Sequence, residues 1–288
     1  MSKKLLDSVS KGRNSWQIYL LVLITIYVYW YYLGGYVVNA SRSFLSPLLG
    51  ENSYVNFFVS ISIPFVSLFA LLFFVVEGLH HRKFYSLINY QSSIDIRRLF
   101  LGFGTWCIQL SVFEVCSLVT HPSAYTYTFD PKQWFLLLPF ILILTPIQTS
   151  IEELLYRGYL MQGLSLICKH RLILILIPSI VFTIPHLSNP EMQRGFIWSA
   201  MNYFTFGVFL ATIVLEDDRL ELALGVHAAN NIFTFLIINT TDSAIPTPAI
   251  FTVISTIDAR ESFFYSLLQM IVFYMLIFGS TNLKSKLG

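Results

Sequence analysis

The chain has 288 residues, 55% of them hydrophobic and only 12% charged, with a mean hydropathy of +0.66. A soluble domain carries about 25% charged residues, so these proportions exclude a globular domain on a single anchor and point to a polytopic membrane protein. The formal net charge of +2 offers no basic surface for nucleic acid.

A membrane-spanning helix needs about 20 mostly apolar residues. In chain order such runs fall at 17–38, 54–76, 99–119, 133–150, 172–187, 196–215, 221–239 and 262–280. The first follows Lys3, Lys4, Lys11 and Arg13 and is too long for a cleaved signal peptide, so it reads as a span. The fourth runs on past Pro146 to about Leu166, and the fifth is short. Cys107, Cys116 and Cys168 fall in or beside these runs without CxxC spacing, and read as buried or lipid-facing side chains. No linker, repeat or low-complexity tract divides the chain. The expectation is one all-α membrane domain over 1–288, a bundle of about eight transmembrane helices, with its chemistry in 130–240.

Charge orients the bundle. With the N-terminus in the cytoplasm, thirteen basic residues lie inside: Lys3, Lys4, Lys11, Arg13, Arg82, Lys83, Arg97, Arg98, Lys169, Arg171, Arg219, Lys284 and Lys286. Four lie outside, at Arg42, Lys132, Arg194 and Arg260. That asymmetry favours eight spans with both termini cytoplasmic. Pro64, Pro139, Pro146, Pro178 and Pro185 fall within or at the edges of spans, where each removes a backbone hydrogen bond and bends the helix. Such bends are tolerated where neighbours or a wet cavity satisfy the freed carbonyls. The outer loop from Asn239 to Glu261 either caps the outer face or is solvated.

The fourth run holds Ser150-Ile151-Glu152-Glu153-Leu154-Leu155-Tyr156-Arg157-Gly158. Ionisable groups in a bilayer are costly, of order ~3 kcal/mol each unless paired or wetted, so a segment that keeps three of them uses them. At about 3.6 residues per turn, Glu153 and Arg157 share a face and form an ion pair, while Glu152 points about 100° away with Tyr156 one turn beyond it. A lone buried carboxylate beside trapped water is the usual form of a general base. The alternative is a packing network of both glutamates with Arg157. His186 follows Pro185 and stands one turn after Phe182. Alone it reads first as an interfacial or hydrogen-bonded histidine. His227 and Asn231 share a face on a later run, and together offer two donors to one point; Asn230 points elsewhere and reads as incidental. Counting from the cytoplasmic ends puts His227 roughly 9 Å deep and His186 roughly 21 Å deep. Either a span boundary is misplaced or the helices start at different depths. A water-filled cavity in the cytoplasmic half is expected.

Glu-Glu-x-x-x-Arg, then Phe-x-x-x-His, then His-x-x-x-Asn, in order on apolar segments, resembles the CPBP (Abi) family, which is similar to the type II CAAX prenyl endopeptidases. The match takes in Glu152, Glu153, Arg157, Phe182, His186, His227 and Asn231. The resemblance implies intramembrane hydrolysis of peptide bonds in membrane-associated or lipidated, CAAX-like substrates. It implies Glu152 as the base, helped by His186, with His227 and Asn231 stabilising the oxyanion. Two chemistries stay open: a zinc ion held by Glu152, His186 and His227, or water activated by glutamate and histidine without metal. The implied partners are membrane lipid and a peptide or protein substrate, and the expected location is a bacterial plasma membrane. A silent scaffold of the same fold and a proton-coupled transporter are the alternatives. No inverted repeat supports the transporter, and Gly-x-Ser-Gly, Gly-x-Gly-Asp and His-Glu-x-x-His are absent.

Overall fold

The computed structural model describes residues 4–51, 53–91, 93–254 and 258–287, with side chains described as far as residue 279. Of the charges used to orient the chain, Lys3 and the side chains of Lys284 and Lys286 lie outside the described residues.

Eight long helices stand where the apolar runs predict them. They are α1 Trp16–Leu49, α2 Tyr54–Leu79, α3 Ile96–Thr120, α4 Pro131–Ser165, α5 Arg171–His186, α6 Phe196–Asp217, α7 Glu221–Leu236 and α8 Ala259–Leu287. Six are long and apolar enough to cross a membrane; α5 and α7 have 16 residues each and fall short of that length. The chain is thus an all-α, multi-pass bundle. Helix starts follow local chemistry. Asp130 caps α4 by accepting from the Lys132 and Gln133 amides, with Pro131 at the first helical position. Asp95 accepts from the Arg97 and Arg98 amides at the start of α3.

Packing around the later helices is close. A Cβ on Gly102 of α3 would come within 2.5 Å of the Leu222 carbonyl oxygen on α7, and one on Gly225 of α7 would collide with the Leu99 carbonyl of α3. Two glycines therefore let the helices cross almost backbone to backbone. Helix α7 also begins inside the protein. Glu221 is fully buried and accepts from the Asn89 side chain at 2.7 Å and the Asp95 amide at 3.0 Å.

A three-stranded sheet was not foreseen. Strands β1 Tyr125–Tyr127, β2 Ile238–Thr240 and β3 Phe251–Val253 pair in the order β1-β3-β2, with β1 antiparallel and β2 parallel to β3. Buried Asn239 donates to the Ile245 carbonyl at 3.0 Å and to Thr247 Oγ1 at 2.7 Å. The connection around residues 243–245 is thereby folded inward, and it caps the bundle. At the other end, Leu5 is buried and its amide donates to Asp218 at 3.0 Å.

Candidate active site

Helix α4 supplies the first residues. It is α-helical through Glu153 and then widens into a π-helical stretch, Leu154–Leu160. Single π turns are frequent at functional sites because they re-aim side chains without ending the helix. Across this widening the expected pair survives: Arg157 Nη1 donates to Glu153 Oε1 at 2.7 Å, and both side chains are fully buried. Arg157 Nη2 also donates to the Gly207 carbonyl of α6 at 3.2 Å. The face of Phe182 stacks against the guanidinium, 4.6 Å from the ring centre.

The same Glu153 oxygen receives His227 Nδ1 at 2.7 Å. Because that oxygen already accepts from Arg157, Nδ1 is the donor, and the ring orientation of His227 is fixed. Its Nε2 then faces Glu152 Oε2 at 3.4 Å. Glu153 is therefore a hub between Arg157 and His227, and not simply the partner of one arginine. Glu152 is the carboxylate turned to the cavity.

His186 is set by different means. Its Nδ1 lies 2.8 Å from the Phe182 carbonyl, which can only accept, so Nδ1 carries a proton and Nε2 is left as an acceptor. Tyr203 stacks on its ring at 4.3 Å between centres. Pro185, just before it, leaves the Val181 carbonyl without its helical donor, and Tyr27 of α1 supplies one at 2.6 Å. The freed carbonyl is thus met by a neighbour, as the sequence led us to expect of bends in membrane helices.

Asn231 faces the cavity, but the reading of Asn230 as incidental is corrected. Trp106 Nε1 donates to Asn230 Oδ1 at 3.3 Å, and Asn230 Nδ2 donates to Asn231 Oδ1 at 3.2 Å. That chain occupies the Asn231 oxygen and leaves its NH2 to donate into the cavity. Periodicity could not reveal it, since neighbouring side chains are brought together by a tryptophan more than 100 residues away.

Glu152, His186, His227 and Asn231 all line one cavity of about 370 Å3. A second, more apolar cavity of about 160 Å3 lies on the other side of Glu152 and His186, walled by Ile26, Tyr27, Trp30, Phe65, Leu68 and Tyr156 among others. Asn189, Ala244 and Ile245 border both. These come from connections on the face opposite the start of α1, so the cavities lie toward that face. The inward-folded loop after β2 walls the site from the other side. Gln148, one turn before Glu152, also borders both cavities; it is 8% exposed and makes no side-chain hydrogen bond among the described residues. Sequence reasoning missed it, although its spacing from Glu152 is the signal that found Arg157.

Among the described residues no group of three His, Cys, Asp or Glu side chains is arranged to hold a metal ion. Both ring nitrogens of His227 face carboxylates, and one nitrogen of His186 is taken by a backbone carbonyl. Glu152, His186 and His227 therefore share a cavity without forming a ready three-ligand zinc set.

Residues 131–233, which carry Glu152, His186, His227 and Asn231, match the family described as type II CAAX prenyl endopeptidase Rce1-like. The chain belongs to that family, whose fold is that of CAAX-type intramembrane proteases. It is 32% identical over 225 residues to the uncharacterized protein YyaK of Bacillus subtilis strain 168, an overlap covering 77% of this chain and 75% of that one. No solved structure matches it.

Proposed function

We propose that the protein is an endopeptidase that hydrolyses peptide bonds of membrane-associated substrates, using water activated between Glu152 and His186. The observation that carries this reading is the convergence of Glu152, His186, His227 and Asn231 on one cavity, with both histidine rings held from outside it. A water held between the Glu152 carboxylate and His186 Nε2 has both hydrogens accepted and a lone pair left to attack. As its oxygen bonds to the scissile carbonyl carbon, Glu152 takes the proton. When the C–N bond breaks, Glu152 returns that proton to the leaving amine, so the residue ends as it began. Negative charge on the tetrahedral oxygen meets the Asn231 NH2, beside the His227 ring that Glu153 holds in place. Each such donor is worth about 3 kcal/mol in a site of this kind. Gln148 offers a further donor on the wall shared by the two cavities.

The apolar cavity beside Glu152 suits the lipid-embedded or lipidated part of a substrate, and the polar one suits the peptide. The organism of the relative supports a bacterial plasma membrane, and the basic residues support cytoplasmic termini. The test is proteolysis of a panel of membrane peptides, including a prenylated CAAX peptide, by purified wild type and Glu152→Ala, with and without a zinc chelator. Cleavage that vanishes in Glu152→Ala and resists the chelator supports the reading. Loss to the chelator that zinc restores replaces it with a metal mechanism. Equal background from two folded proteins removes it in favour of a scaffold.

A further inference from the structure

The larger cavity extends well beyond the catalytic group. Glu114 of α3 and Glu191 of the α5–α6 connection both line it, so with Glu152 it has three carboxylates on its wall, and among the described residues no lysine or arginine lines it. Glu152 faces His227. The other two have only neutral donors: Tyr125 donates to Glu114 Oε2 at 2.9 Å, and Tyr203 donates to Glu191 Oε1 at 3.1 Å. Among the described residues Glu191 Oε2 is buried without a partner, and so is Asn202 Oδ1 on the same wall. Gln269, only 7% exposed, also lines the cavity and makes no side-chain hydrogen bond among the described residues. Buried polar atoms are nearly always paired in the working state, and carboxylates inside a membrane protein need a counter-charge or water. This wall lacks a cation, and three of its side chains hold unused hydrogen-bonding atoms.

We propose that Glu191 and Glu114, with Asn202, form a subsite that receives a basic side chain, lysine or arginine, of the peptide substrate. The ammonium or guanidinium supplies the missing counter-charge and donates to the unused oxygens of Glu191 and Asn202. Tyr203 links the subsite to the reaction centre, since the ring that stacks on His186 carries the hydroxyl bound by Glu191. This inference rests on the endopeptidase reading for the nature of its ligand, so its test reads binding separately from cleavage.

The experiment uses full-length Glu152→Gln protein in detergent and a fluorescent membrane peptide in three forms, with lysine, norleucine or glutamate at one position beside the cleaved bond. Anisotropy should show the lysine form binding about tenfold or more tighter than the norleucine form, the scale of one desolvated charge pair, with the glutamate form weakest. Adding Glu191→Gln and Glu114→Gln should bring the lysine-to-norleucine ratio near one. Equal binding of the three peptides overturns the subsite, as does a lysine preference that survives both substitutions. If the double variant does not fold, the glutamate peptide on the Glu152→Gln background decides alone: binding as tight as the lysine form sinks the proposal. Absence of cleavage by wild type with the lysine preference intact counts against the endopeptidase reading and in favour of the subsite.

Discussion

Helix α4 carries two buried polar clusters about a turn apart, and they are built on different terms. The first joins Glu153, Arg157 and His227. It balances opposite charges and presents one histidine nitrogen to a cavity. The second lies toward the N-terminal face. Tyr159 and Gln162 meet His80 and Arg82, with His80 Nε2 accepting from Tyr159 at 2.8 Å and Arg82 donating to Gln162 at 2.8 Å. It has a cation, no carboxylate and no cavity among those described. Burial alone therefore does not mark chemistry. What distinguishes the first cluster is a charge network that leaves one oriented atom facing open space. The second ties the N-terminal segment to the bundle, since His80 also bonds the Arg13 carbonyl at 2.8 Å.

The sharpest way to break this comparison is to unbalance the first cluster. Arg157→Met leaves Glu153 buried opposite His227 alone, and should cost about 3–5 kcal/mol of stability, the usual penalty for a stranded buried charge. Glu153→Leu with Arg157→Met should recover much of that stability while activity stays lost, because His227 is no longer held. Denaturation in mixed micelles together with peptide cleavage checks both halves; a double variant that keeps its activity would separate the hub from catalysis.

A middle-sized effect is expected at Gln148. Gln148→Ala should lower kcat by about tenfold, the value of one hydrogen bond to a charged group, with little change in KM or melting temperature. A change confined to KM would make Gln148 a binding residue.

The smallest effect belongs to the second cluster. Neutral His80 suits its surroundings, giving Nδ1–H to the Arg13 carbonyl and accepting from Tyr159. Burial holds its pKa below the ordinary 6.5; the Arg13 carbonyl opposes that shift and Arg82 adds to it. The folded protein therefore takes up this proton less readily than the unfolded chain. His80 contributes no penalty above pH 6.5, and stability falls as pH drops from there toward the lowered folded value. Melting curves at about pH 7.5 and about pH 5.5 should differ less in His80→Gln than in wild type. An unchanged difference would remove His80 as the source.

Much of the fold was legible because bilayer-length apolar runs are a strong one-dimensional signal, and all eight helices lie where those runs fall. The Glu153–Arg157 pair was legible because it depends on residues four apart on one helix. The buried start of α7 was not, since it is set by Glu221 reaching Asn89 and Asp95 across more than 120 residues. Nor was the sheet, whose three-residue strands have no pattern long enough to read. His227 was found by its motif. The hydrogen bond that fixes its ring became visible only with Glu153 beside it.

The bond from Tyr27 to the Val181 carbonyl bears on modularity. Residues 131–233 contain every motif position, yet the donor that completes the turn before His186 comes from the first helix, and Trp30, Phe65 and Gln269 build cavity walls from outside that stretch. The motif-bearing segment is therefore not a self-contained unit. A fragment cut to its bounds would carry all the reactive groups and lack the neighbours that aim them, and a graft into another bundle would have to recreate that first helix.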